Sequence, residues 1–335
     1  MKKHTLDDTW NIILEDNPRG NKEATLKSYS DVLRYAIKPS FKKLGFKYIE
    51  NFGFQEYKMW FRYLKNKKDT KNQLYSSNTL RRIYCVLSRI FDEAVKNGWI
   101  ERNIVKLSDN FPVDKEKQRK VNFQTLEEFN LFMSVVDDEF WQVAFNLMFW
   151  HGLRAGELLA LDLEHFDLET KKLSIEHTTT NLTLDGTKQK ITSTKNYQHR
   201  IITINANCEE IFVNFVKKLH QNKKLNSKSI IFSYNHVRPM YHSAIRQALL
   251  KYYRRLEKKL GTKVCFLSSH EFGRHSIATF MRENGASAEQ IAFYLGDTED
   301  TIKKVYFHYY ELKLDKKIDD FFKEIKTNIK NWKNI

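Results

Sequence analysis

Proline and glycine are scarce in this chain, at 4 and 11 of its 335 residues. These residues interrupt regular backbone most strongly, so their scarcity excludes collagen-like or low-complexity sequence and favours long helices. Cys85, Cys208 and Cys265 are far apart and form no Cys-x-x-Cys pair. A disulfide framework and a thiolate zinc site are therefore not expected, and a reducing cytosol suits the chain. No apolar run reaches the about 18 residues that a membrane span needs; the stretch near Phe145–Trp150 is far too short. The basic start runs into Asp7, Asp8 and Trp10, not into the apolar region of a signal peptide.

Acidic residues are also in deficit. Lys and Arg number 57 against 41 Asp and Glu, leaving a formal net charge of +16. Charge of that size and sign implies a polyanionic partner, nucleic acid first and an anionic membrane second. Hydrophobic residues, at 41%, suffice for real cores and exclude disorder of the whole chain. The length suits two domains. Residues 1–112 carry +9 and the remainder +7, so both halves are expected to touch the polyanion. Between them, a polar, Pro-broken stretch holding Lys115, Lys117, Arg119 and Lys120 reads as a linker, either a solvated connector or a strap along phosphates.

The first half reads as a small helical bundle. Leu80, Ile83, Leu87, Ile90, Phe91 and Ala94 form one helical stripe between a Ser76-Ser77-Asn78 cap and an Asn97-Gly98 stop. Arg81, Arg82 and Arg89 lie off that stripe. Residues 25–36 and 54–64 show helical spacing as well. In the second half, residues 126–133, 141–150 and 157–163 read as helices. Lys172–Ile175, Lys190–Thr194 and Arg200–Ile204 alternate as strands, which predicts one three-stranded antiparallel sheet.

Four segments of the second half carry chemistry. The first is Trp150-His-Gly-Leu-Arg-Ala-Gly-Glu-Leu. It sets Arg154 at the mouth of an apolar helix, where a guanidinium fork suits phosphate oxygens, with Glu157 placed to hold it. The second is Thr192-Ser-Thr-Lys-Asn-Tyr-Gln-His-Arg, with Lys195 at a hairpin turn. The third is Ser269-His-Glu-Phe-Gly-Arg-His-Ser-Ile-Ala-Thr, crowding His270, Arg274 and His275 at a helix start. No Cys or carboxylate set completes a tetrahedral site there, so neither metal nor cofactor is expected. The fourth is Tyr294-Leu-Gly-Asp-Thr-Glu-Asp-Thr-Ile-Lys-Lys-Val-Tyr-Phe-His. Taken singly, each has a bland reading: a surface Arg–Glu pair, a solvated lysine, a packed tyrosine.

Their order is more specific. Arg, then a hairpin Lys, then His-x-x-x-Arg-His, then Leu-Gly-x with Tyr nine residues on resembles the tyrosine recombinases, the phage-integrase family, over about residues 20–320. The resemblance implies a mainly α fold with a small antiparallel β-sheet in the catalytic domain, arranged as a two-domain DNA clamp. Residues 1–20 would be a short N-terminal extension, too few for a separate arm-binding domain. Residues 21–107 would be a helical, SAM-like core-binding domain, 108–122 a basic linker, 123–312 the catalytic domain and 313–335 an amphipathic tail helix. Leu314, Ile318, Phe321, Phe322, Ile325, Ile329 and Trp332 would give that tail one apolar face. It would pack on its own domain or dock on a neighbouring protomer.

By the same resemblance, Arg154 and Arg274 match the catalytic arginines, Lys195 the hairpin lysine and Tyr306 the nucleophile. DNA-binding residues would be Arg81, Arg82, Arg89, Lys115, Lys117, Arg119 and Lys120. Two positions depart from the pattern. Glu271 stands three residues before Arg274, where the family usually has His, and His270 lies four before. Asp297 follows Leu-Gly, where the family usually has His or Trp. Either His270 serves from a shifted helix start or that role is altered; Asp297 would pair with an arginine, carry a proton or turn away. His270 and Asp297 are kept as candidate catalytic residues.

The implied activity is site-specific cleavage and rejoining of double-stranded DNA through a 3′-phosphotyrosyl intermediate, integrating or excising a mobile element. It would run without cofactor in a bacterial, nucleoid-associated setting. The implied partners are DNA, a homo-oligomer of two to four protomers, and accessory directionality or bending proteins, with no membrane. The alternatives are a chromosome-dimer-resolution recombinase, a topoisomerase of the same chemistry, and a catalytically reduced DNA-binding regulator.

Overall fold

A computed structural model describes residues 3–307 except 18, 70–71, 108–120, 181–182, 185–188 and 195–198. The chain is mainly helical with small antiparallel sheets. One compact unit is built on residues 1–119, and a second on 120–181 and 189–335. Lys115, Lys117, Arg119, Lys120, Lys195 and the tail stripe from Leu314 onward lie outside the described residues. Among the described residues, no helix is long and apolar enough to cross a membrane.

The first unit contains α1 (Leu6–Asp16), α2 (Glu23–Val32), α3 (Lys38–Lys43), α4 (Phe54–Asn66) and α5 (Ser77–Lys96). The Ser76 hydroxyl accepts the Thr79 N–H and starts α5; the stripe from Leu80 to Ala94 is buried. Burying six such side chains contributes on the order of 10 kcal/mol before ordering costs. Residues 1–20 are more than an extension. Thr5 and Asp8 form a capping box, and Leu6, Trp10 and Ile13 of α1 enter the unit's core. That three-residue stripe is too short to stand out in the sequence.

The second unit is organised around α7 (Glu139–His151), which is apolar except for a stripe of Glu139, Gln142 and Asn146 and buries Val143, Ala144, Phe145, Leu147, Met148 and Phe149. Around it lie α6 (Leu126–Met133), α8 (Ala155–Leu159), α9 (Ala206–Gln221), α10 (His242–Leu260), α11 (Ser276–Glu283), α12 (Ala288–Leu295) and α13 (Glu299–Ile302). The strands form two sheets, not one. In the first, β1 (Phe166–Asp167), β2 (Lys172–Ile175) and β5 (Arg200–Thr203) run antiparallel in the order β1-β2-β5. In the second, β3 (His177–Thr180) pairs with β4 (Lys190–Ser193). The sequence reading missed β3 because His-Thr-Thr-Thr has no apolar alternation. It is a strand because β-branched threonines suit extended backbone and because Thr178 and Thr179 press against Gly156, where a Cβ would lie 2.3 Å from the Thr178 hydroxyl.

Candidate active site

The site is assembled at the ends of α7, α8 and α12. Helix α7 ends at Gly152, with φ +57°, and a Cβ there would lie 2.4 Å from Leu295 Cδ2. Only glycine combines that left-handed turn with that contact. Two residues on, Arg154 is the N-cap of α8. Glu157 accepts the Arg154 N–H at 3.0 Å through Oε2 and the guanidinium at 2.6 Å through Oε1. Arg200, from β5, donates to Glu157 Oε2 at 2.8 Å. Glu157 is only 1% exposed. Burial pushes its pKa up, but Arg200 and Arg154 outweigh this and hold it below the usual carboxylate range. Beneath them, the Asn205 N–H donates to His151 Nε2 at 3.2 Å. That places the ring proton on Nδ1, facing the Tyr294 hydroxyl at 2.7 Å, which itself donates to the Trp150 carbonyl. Burial, with the nearby Arg200 charge, lowers the His151 pKa to about 4.

Arg274 lies in a π-turn, Glu271–His275, leading into α11. This turn runs so close to α7 that a Cβ on Gly273 would lie 2.3 Å from the Met148 carbonyl oxygen. The Arg274 side chain is buried. It donates to the Leu295 carbonyl at 2.7 Å and to Asp297 Oδ2 at 2.8 Å. Arg154 donates to the same Asp297 oxygen at 3.1 Å and to the Gly296 carbonyl at 3.2 Å. Arg200, Glu157, Arg154, Asp297 and Arg274 thus form one row of alternating charge, buried at Arg200, Glu157 and Arg274. The Arg154 and Asp297 side chains keep 27% and 23% of their surface exposed, so they are the accessible part of the row. Burial raises the Asp297 pKa, but Arg274, the Thr298 N–H and Arg154 override it and hold it down. Asp297 thus pairs with both arginines, which favour its ionised form.

Tyr306 is on a second π-turn, Lys303–Phe307, and is buried. Its hydroxyl lies 2.6 Å from His275 Nδ1. Burial raises the phenol pKa; Arg274 and Arg154 oppose this and Asp297 adds to it. The His270 ring packs edge-on against His275, centroids 4.5 Å apart. Burial and then the charges of His275, Arg274 and Arg154 lower the His270 pKa to about 4, with Asp297 opposing. Burial also lowers His275. Both rings are neutral at pH 7. Glu271 accepts the Ser268 N–H at 2.8 Å and the Asn122 side chain at 3.2 Å, so it caps the helix start.

The fold therefore brings Arg154, Arg274 and Asp297 into contact and sets both His270 and Tyr306 against His275. The sequence reading left His275 and Arg200 without roles. An inward arginine opening a strand, Arg200-Ile-Ile-Thr, was the signal available for Arg200. In the helical unit, Arg81 and Arg82 are exposed, and Arg82 bonds Ser28. Arg89 is off the apolar stripe by spacing yet only 9% exposed, its guanidinium 5.2 Å from the Tyr29 ring centre. The cause is that α5 is covered on every side from Val86 to Phe91.

Residues 122–312 match the phage integrase family, and residues 6–113 match the phage integrase SAM-like domain. The chain belongs to the phage integrase family. Among its relatives, the ICEBs1 integrase of Bacillus subtilis is 28% identical over 134 residues, 39% of this chain and 34% of the relative. A XerC-like tyrosine recombinase of Caldanaerobacter subterraneus is 25% identical over 262 residues, 71% of this chain and 65% of the relative. The chain thus spans less than two thirds of either. The integrase fold is also seen in solved structures. The Tn1549 transposon integrase in complex with transposon right end DNA matches with a TM-score of 0.70 at 17% identity, over 93% of this chain and 99% of that one. A lambda integrase dimer bound to a core site matches at 0.61 and 18%, over 91% and 78%.

Proposed function

We propose that this chain is a site-specific DNA recombinase of a mobile element, cleaving and rejoining double-stranded DNA through a 3′-phosphotyrosyl bond. The observation that carries this is the convergence of two guanidinium forks on one acceptor oxygen, 2.8 and 3.1 Å from Asp297 Oδ2. A scissile phosphate entering from the accessible side offers such oxygens, and displaces the carboxylate from them. Two fixed cations there stabilise the extra negative charge of the pentavalent state. Tyr306 Oη forms the new bond to phosphorus while the bond to the deoxyribose 5′-oxygen breaks. The phenol proton passes to His275 Nδ1, its hydrogen-bond partner. Lys195, by resemblance, protonates the leaving 5′-oxygen. The new linkage conserves the phosphodiester energy, so rejoining needs no external energy source.

His270 takes the donor position that the family usually fills from three residues before the second arginine. A π-turn holds one more residue than an α-turn. That extra residue swings the position four before Arg274 toward the side on which the third-preceding position of a regular helix falls. Residues 21–107 and 123–312 would grip opposite faces of the DNA, with Arg81 and Arg82 on phosphates and assembly to dimers and tetramers on the recombining sites. A catalytically reduced DNA-binding regulator is the second reading, and the carboxylate of Asp297 between the arginines favours it. A nicked suicide substrate tests the first reading. A covalent protein–DNA adduct supports the recombinase; specific binding without any adduct supports the regulator.

A further inference from the structure

The start of the first sheet and the start of the second meet at a pair of histidines. His165 closes the 3₁₀ turn Leu163–His165 that leads into β1. His177 opens β3. His165 Nε2 and His177 Nδ1 are 3.1 Å apart. The Glu176 carboxylate joins them, and all three ligand atoms lie within 4.8 Å of one another. We propose that His165, His177 and Glu176 form a binding site for a divalent transition cation, zinc by its ligand set, separate from the recombination site.

Three features support this. The first is spacing: two nitrogens bound to one tetrahedral zinc at about 2.0–2.1 Å stand about 3.3 Å apart, close to the separation already present. The second is the partner of the other ring nitrogen. Asp162 Oδ1 lies 2.5 Å from His165 Nδ1, and this buried oxygen has no hydrogen-bond partner of good geometry. The Asp162 N–H donates to this same nitrogen at 3.1 Å, so without a cation the ring proton sits on Nε2, facing His177 Nδ1. A cation taking Nε2 moves that proton to Nδ1, against the Asp162 carboxylate. A carboxylate behind a ligating histidine, fixing its tautomer and raising its basicity, is the usual support of a metal-binding imidazole. The third is charge. Asp162, Glu164 and Glu176 all act on Lys228, raising its pKa, and Lys228 pairs with Glu164. Two imidazoles and a carboxylate suit zinc, cobalt or nickel rather than magnesium or calcium, which prefer oxygen. Three protein ligands leave a fourth position for water.

A cation here ties the root of the β3–β4 hairpin to the turn before β1. The site is hidden in the sequence because its two histidines are twelve residues apart and on different elements.

The test uses the full chain, stripped with a chelator and titrated with Co²⁺ and Zn²⁺. The proposal expects one Co²⁺ per chain with visible bands of tetrahedral type, displaced by Zn²⁺, and a rise in melting temperature. His177→Ala removes a half-exposed ligand and should weaken binding by more than tenfold. Asp162→Asn should weaken it about 10–100-fold. Glu176→Gln, at a partly exposed position, provides a second ligand test should His177→Ala fail to fold. Absence of bands and of binding heat at micromolar metal overturns the proposal. So does binding that is unchanged in both ligand variants, or that is lost in His270→Ala instead.

Discussion

Asp297 accepts a 2.8 Å hydrogen bond from Arg274 on the very oxygen that also accepts from Arg154. The carboxylate thus holds the two forks at a common point and competes with any phosphate for their protons. Asp297→Asn keeps the shape and removes the charge. It should tighten DNA binding and raise the cleavage rate several-fold, while lowering stability by about 1–3 kcal/mol through the weakened bonds to the arginines. Asp297→His should raise cleavage further by returning a donor. Filter binding and adduct formation on a suicide substrate measure both. A loss of cleavage in Asp297→Asn as deep as that in Arg274→Ala would make the carboxylate essential and sink the competition argument.

Tyr306→Phe should abolish the covalent adduct and leave DNA affinity nearly intact. His275→Ala should retain Tyr306 but lower adduct formation by about 10²-fold or more, the usual worth of a positioned base. His275 is neutral at pH 7, so it is ready to accept the phenol proton. Its rate contribution should fall away in acid as the ring protonates. A pH–rate profile identical in wild type and His275→Ala would show that the 2.6 Å contact only positions the ring. Adduct persisting in Tyr306→Phe would move the nucleophile to Tyr309 or Tyr310.

Arg154→Lys and Arg274→Lys should both recover little of the roughly 10²-fold or greater cleavage loss expected for the alanine variants, because an ammonium cannot reproduce the fork. Arg200→Ala works differently. It deprives buried Glu157 of one of two cations, so the expected damage is to folding, about 3–5 kcal/mol. Denaturant unfolding should separate the cases. Unfolding midpoints for Arg154→Lys and Arg200→Ala that fall together would contradict this division of labour.

His270→Ala should reduce cleavage strongly, and Glu271→Ala should cost mainly helix stability, since Glu271 caps the turn and bonds Asn122. Single-turnover cleavage and thermal melts on the two variants provide the comparison. The reverse pattern would place Glu271 at the phosphate.

Acid should destabilise the second unit through His151. The ring titrates near 6.5 when unfolded and at about 4 when folded. Between those values the unfolded chain binds a proton that the folded chain refuses. Stability from this group is therefore complete above about pH 6.5 and drains away as the pH falls toward 4, by on the order of 3 kcal/mol. A His151→Gln variant should be less stable at pH 7 and show a flatter acid limb. An equally steep limb in the variant would assign the acid sensitivity to other groups.

Much of this was legible in the sequence. The stripe of α5 and the order of the four motifs rest on local spacing, and local spacing is what a sequence displays. The single three-stranded sheet was not borne out, because β3 is held by its contact with Gly156 and not by an apolar alternation of its own. The link between Arg200 and Glu157 was hidden for the same reason, since it joins residues 43 positions apart through a buried carboxylate. His275 was visible but indistinguishable from its neighbour until the Tyr306 hydroxyl was found against it.

The widened turn at Glu271–His275 also bears on how such a gene can change. A codon gained ahead of Arg274 is absorbed within that one turn. Ser276 and the rest of α11 then keep their rotational phase, and the Gly273 contact with Met148 stays in register. Insertions at this place are therefore nearly silent for the packing of the second unit, while they decide which side chain is offered to the phosphate. If His270 serves as proposed, a histidine three or four positions ahead of the arginine reaches one geometry, and the two spacings differ only in the width of this turn.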